Sequence, residues 1–119
     1  MNKEQALQEF WSGFDIPAYD ENSVPDNATL PYITYTVAVD GFDRPVSLQA
    51  AIWYKDTSWE AITNKAEEIA QTIGRGGVMK SYMNGCVWLK MGTPFEQRIP
   101  TLDDMIKRIT INIEAEFIG

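Results

Sequence analysis

The residues of this 119-residue chain best supplied to do chemistry are carboxylates, and they come in pairs: Asp20-Glu21, Glu67-Glu68 and Asp103-Asp104, with Asp40 and Asp43 around Gly41. Converging carboxylates could hold a hard cation or run general acid/base catalysis, provided a pocket shifts their pKa values. Glu67-Glu68 falls on a solvated helix face. Asp103-Asp104 sits just ahead of a strand, where a turn or capping role is expected. Asp40 and Asp43 suit a turn, because Asp bonds its own neighbouring backbone. No EF-hand spacing is present. The chain has no histidine, which removes the commonest general base and transition-metal ligand. Ser-His-Asp and Cys-His machinery is thereby excluded. A single cysteine, Cys86, excludes an intramolecular disulfide and a cysteine-based zinc cluster. Its apolar run, CVWLKM, predicts a buried structural thiol. Gly74-Arg75-Gly76-Gly77 invites a phosphate-loop reading, but phosphate loops precede a helix and these glycines follow one. We therefore predict no catalytic, cofactor or metal site, and an enzyme is the least favoured class.

The elements that would position these residues follow from periodicity. Ala6, Leu7, Phe10, Trp11 and Phe14 share one face of a helix over Lys3 to Phe14, with Asn2 as N-cap and Gly13 near its end. Tyr32 to Val39 and Val46 to Lys55 alternate as strands about an Asp40-Gly41 turn closed by Arg44-Pro45. Thr57 and Glu60 have capping-box spacing. They open a second helix with the apolar stripe Trp59, Ile62, Ala66, Ile69, Ala70 and Ile73, which Gly74 ends. Val78 to Tyr82 and Cys86 to Met91 flank Asn84-Gly85, a hairpin turn. Gly92 to Pro100 reads as a loop. Lys107 to Ile118 alternates as a long strand, with Ile109, Ile111, Ile113, Ala115 and Phe117 inward and the other face wet. The expected class is α+β: a mostly antiparallel sheet of four to five strands with two helices on one face, in the order α-β-β-α-β-β-β.

Length allows one domain, residues 1–119, and 45% hydrophobic content allows a packed core. No stretch approaches the ~18 apolar residues of a membrane span. The N-terminal MNKEQALQEFWSGF lacks the uninterrupted apolar run of a signal peptide, so synthesis in a cytoplasm is expected. A net charge of −7 makes the chain a poor general binder of nucleic acid, whose affinity rests on Lys and Arg.

Between Ile16 and Tyr35 the chain reads IPAYDENSVPDNATLPYITY. Pro17, Pro25 and Pro31 forbid helix or central strand in the arm spanning 17–31. Arms of this length inside a small domain tend to be functional or disordered. Its apolar residues, among them Tyr19 and Val24, predict a segment lying along a surface, such as that of a neighbouring subunit. Four Trp, five Tyr and five Phe exceed what a small core requires. Aromatic residues are enriched at interface cores. Trp53 lies opposite Val46, Leu48 and Ile52 on its strand, and Phe42 and Phe95 fall on loops, the latter near Arg98. The candidate interface residues are thus Tyr19, Val24, Phe42, Trp53, Phe95 and Arg98.

The ordered set Phe10-Trp11, PAYDENSVPD, LPYITY, IWYKDTSWEAIT, VWLKMGTPFEQ and DDMIKRITINIEAEF resembles small tail proteins of long-tailed bacteriophages and prophages. Specifically, the chain is similar to tail-terminator, or tail-completion, proteins that join tail to head. The resemblance implies the same fold class and a structural role without catalysis or cofactor. It implies a ring, typically of six copies, on the head-proximal end of the tail tube within the virion. The ring stops tube polymerisation and presents a surface to a head connector or neck protein. Implied partners are further copies of the chain, the tail tube protein and that connector. DNA would pass through unbound, and acidic residues would suit such a bore. Two other readings stand beside it: a head-completion or neck protein, and a small acidic module that binds a host factor as a monomer or dimer.

Overall fold

Asn2 caps the first helix: its Oδ1 accepts from the Gln5 N–H at 2.8 Å, and Gln5 Oε1 accepts from the Asn2 N–H at 2.8 Å. This reciprocal box satisfies two otherwise orphaned donors. Helix α1 (Lys3–Trp11) tightens into a 3-10 turn (Ser12–Phe14) and stops at Asp15, whose φ is 64°. The computed structural model describes residues 1–38 and 44–119. The remaining elements are β1 (Ala18–Asp20), β2 (Tyr32–Tyr35), β3 (Pro45–Lys55), α2 (Glu60–Ile73), β4 (Val78–Tyr82), β5 (Gly85–Ile99) and β6 (Ile106–Ile118). The Asp40-Gly41 turn, Asp43 and Phe42 lie outside the described residues.

The α+β class holds, but the sheet is not the one expected. It has six strands in the order β1-β2-β3-β6-β5-β4, and it is mixed, because β1 runs parallel to β2. Two short-range signals misled. Three residues of the arm, Ala18-Tyr19-Asp20, are too few to show alternation, and Pro17 stands at their start, where its carbonyl accepts from Ile33 N at 2.8 Å and its missing N–H costs nothing. The predicted Gly92–Pro100 loop is instead the second half of β5. A bulge between Met91 and Glu96 absorbs Gly92 and Pro94, after which pairing with β6 resumes at Glu96–Ile99. Bulges are where a strand tolerates Gly and Pro.

The predicted inward set of β6, Ile109, Ile111, Ile113, Ala115 and Phe117, is buried throughout. Each of these isoleucines contributes about 1.5–3 kcal/mol by leaving water. They meet Ile62, Ala66, Ile69 and Ile73 of α2 and Leu7, Phe10 and Trp11 of α1 in one core. The opposite face of β6 is less wet than alternation suggested: Thr110 is buried and its neighbours are half-buried. Helix α1 touches both edge strands, β1 and β4. Gln8 Nε2 donates to Ala18 O at 3.1 Å, and Lys80 Nζ lies 3.5 Å from Glu9 Oε1. The sheet curls around this helix, within an envelope of 44 × 31 × 22 Å.

Helix α2 starts by a different route from the predicted box. Asp56 Oδ1 accepts from Ser58 N at 3.1 Å, and Ser58 Oγ accepts from Glu60 N at 3.0 Å, so Thr57 caps nothing. The Asx turn at Asp56 brings Ser58, not Thr57, to the open N–H. The helix ends at Gly74 as predicted, with φ 69°. The following glycines lead into β4. Gly77, at φ 83°, lies close against Trp88: an added Cβ would lie 2.5 Å from Trp88 Nε1. Cys86 is half-buried on β5 and not sealed in the core as its apolar run suggested, because its strand position faces away from the helices, next to Ile118.

Candidate assembly surface

Three of the six candidate residues gather on the sheet face away from the helices. Tyr19 of β1 stacks edge-on against Tyr32 of β2, with ring centroids 5.7 Å apart. Tyr32 pairs with Trp53 across the β2–β3 ladder. Trp53 Nε1 donates to Thr34 Oγ1 at 3.0 Å, and the Arg108 guanidinium lies 4.8 Å from the Trp53 ring. Val24 comes over this face from the arm. With Glu21 it closes a hollow of about 270 Å³ above Thr34, Ala51, Trp53, Arg108 and Thr110. The arm therefore lies on its own sheet, held at Glu21 N to Tyr35 O (2.9 Å) and Ser23 N to Asp20 O (2.8 Å). The small Thr34, Ala51 and Thr110 leave room in its floor, and Arg108 Nε is buried there without a hydrogen-bond partner among the described residues.

Phe95 and Arg98 sit elsewhere, on the far side of the sheet along β5. Phe95 is half-buried and packs against the core, whereas Arg98 is exposed with its guanidinium 4.7 Å from the Trp59 ring. Lys107 Nζ approaches the same ring at 5.6 Å. An aromatic face attracts cations through its quadrupole, and such pairs contribute about 0.5–1 kcal/mol at exposed sites. Phe42 lies outside the described residues.

Sequence reasoning missed Leu102, which is fully exposed at the tip of the β5–β6 hairpin. Its signal was available: an apolar residue between Pro100 and Asp103-Asp104. Of those carboxylates Asp103 serves the turn, its Oδ1 accepting from Met105 N at 2.8 Å, whereas Asp104 contributes its backbone carbonyl, which accepts from Lys107 Nζ. Of the other pairs, Glu68 meets Lys65 at 2.9 Å and Glu67 faces solvent. Asp20 Oδ1 accepts from Asn22 N at 3.0 Å. No described helix is long and apolar enough to cross a membrane.

Burial raises the pKa of Tyr35, helped by the nearby charges of Asp20 and Glu4. Burial likewise raises Tyr54, with Lys65 opposing and Glu68 reinforcing, and Tyr82, with Cys86 reinforcing.

No protein-family model and no curated protein matches the chain. Among solved structures, the fold is similar to that of a chain from the "Virion of native gene transfer agent (GTA) particle". The TM-score is 0.70 at 13% identity, over 98% of this chain and 95% of that one.

Proposed function

We propose that this chain is a structural virion protein that caps the head-proximal end of a tail tube as a ring, stops tube polymerisation and offers the head-joining surface. The observation that carries this reading is the fold shared, nearly end to end, with a chain of a gene transfer agent virion. The resemblance of the ordered motifs to tail terminators narrows the virion role to the tail-to-head joint. The face built from Tyr19, Val24, Tyr32 and Trp53, together with the exposed Arg98 and Leu102, supplies surfaces for non-covalent contacts around a closed symmetry axis. On this reading the protein performs no catalytic step, and its partners are copies of itself, the tube protein and a connector.

Electron microscopy of a lysate from particle-producing cells carrying an early stop codon in this gene tests the proposal. Abnormally long tails without heads are the expected result. Normal tails beside detached, leaky heads would move the role to head completion. Intact infectious particles would overturn both structural roles in favour of a host-factor-binding module.

A further inference from the structure

The two ends of the sheet are built at the same level. Ala18 of β1 pairs with Ile33, Ile33 with Ile52, Ile52 with Ile109, and Ile109 with Arg98 of β5. One row of register therefore crosses five strands, from β1 at one edge to Glu96–Ile99 at the other. Strand β4 pairs with β5 only as far as Leu89, so among the described residues no strand covers the outer edge of Glu96–Ile99. Open edges of this kind accept a further strand, with main-chain hydrogen bonds supplying affinity.

Polarity, length and charge all point to one occupant. β1 runs parallel to β2, and each later step across the row is antiparallel, so β1 and β5 run in opposite directions. A second copy set beside the first in the same orientation would bring its β1 antiparallel to β5. The open window is short, bounded by Pro94 and Pro100, which have no N–H. β1 is equally short, bounded by Pro17 and the Asn22 turn. Pro17 O and Glu21 N bond to β2, so the Ala18 and Asp20 amides point outward. Their carbonyls already accept from Gln8 Nε2 and Ser23 N, which leaves two N–H donors for a new neighbour. With a two-residue offset, Asp20 falls opposite Arg98 and Tyr19 opposite Ile99: an opposite-charge pair on one face and an apolar pair on the other. Neither Asp20 nor Arg98 has a charged side-chain partner within its own chain among the described residues. Beside this edge, a hollow of about 270 Å³ is lined by Thr63, Glu96, Gln97, Arg98 and Ile109, and Thr63 Oγ1 is buried there without a partner among the described residues.

We propose that β1 of one copy adds antiparallel to the Glu96–Ile99 edge of the next, with Asp20 against Arg98, so that the sheet continues from subunit to subunit. This rests on the self-assembly part of the function proposed above. The contact is heterologous, so its repetition closes a ring or extends a filament.

Charge reversal tests it on the purified full chain by sedimentation over a range of concentrations, with circular dichroism as the folding control. Wild type should associate as concentration rises. Asp20→Lys and Arg98→Glu should each weaken association about tenfold, since like charges then face one another. An equimolar mixture of the two variants should restore it, because each then offers the complement of the other. Arg98→Ala keeps the test open should Asp20→Lys fail to fold, and it too should weaken association. A wild type that stays monomeric, reversals without effect, or a mixture that fails to recover would overturn the contact. None of those results bears on the tail phenotype of the stopped gene, so the two proposals fail separately.

Discussion

The Tyr35 hydroxyl donates a hydrogen bond to Gln8 Oε1, joining the last turn of α1 to strand β2. The same glutamine uses its amide to bind Ala18 O of β1 and Ser12 Oγ. One side chain thus fastens the parallel strand pair to the helix. Gln8→Ala should cost about 1–3 kcal/mol, because a half-buried hydroxyl and carbonyl lose their partner together. A thermal melt and amide exchange at Ala18–Asp20 would check it, with exchange rising at β1 before the core opens.

Alkali should destabilise the fold through its tyrosines. In the unfolded chain Tyr ionises near its ordinary value of about 10. In the folded protein Tyr35, Tyr54 and Tyr82 hold their protons to higher pH, chiefly through burial. The folded state then binds more protons than the unfolded one above that value, so stability falls as pH rises. The contribution is complete below pH ~10 and is lost as pH climbs through the raised values. Chemical denaturation at a series of pH values should show this decline, and Tyr82→Phe should flatten it.

Gly77→Ala should be among the most damaging single-methyl additions. The residue's φ of 83° is costly for any L side chain, and the new Cβ would meet Leu89 O at 2.6 Å as well as the Trp88 indole. Trp88 is fixed there by a 2.8 Å hydrogen bond to Gly76 O, so it cannot simply swing away. A loss of about 2–4 kcal/mol is expected from strain and overpacking combined, measurable as a lowered denaturation midpoint with a changed Trp emission.

Phe95 and Leu102 should respond oppositely to truncation. Phe95 packs on the core, so Phe95→Ala should lower stability by about 1–3 kcal/mol. Leu102 has no shelter on its own chain, so Leu102→Ala should leave stability within about 0.5 kcal/mol. Paired thermal melts distinguish the two roles directly.

What was legible in the sequence was whatever a short window encodes. The stripe of α2, the Asn2 cap, the Gly74 stop and the inward set of β6 all announce themselves locally, as does the β4–β5 hairpin, although its turn is Met83-Asn84, one residue before the predicted Asn84-Gly85, and Gly85 already pairs with Tyr82. What was hidden depends on partners far along the chain. Ala18-Tyr19-Asp20 becomes a strand only because Ile33 and Tyr35 lie beside it. Gly92 and Pro94 fit a strand only because β6 carries the ladder past the bulge. The candidate surface divided in the same way. Trp53 was readable as an apolar residue on the wrong face of its strand. Arg108 over Trp53 and the exposed Leu102 needed the register and the hairpin tip to be known.

The last strand sits at the centre of the sheet: β6 lies between β3 and β5, and Glu116 pairs back to Pro45. During synthesis the strand that joins the two halves of the sheet therefore emerges after the strands it joins. Until Ile106–Ile118 emerges, β3 and β5 have no neighbour in common and the two helices have no shared floor, so the nascent chain must wait, apolar stripes uncovered, for that strand. Such dependence on distant pairing slows folding and invites chaperone capture. A stop codon that removes β6, at Ile106 for example, should behave as a null allele, yielding a chain that is degraded instead of a shortened protein that still assembles.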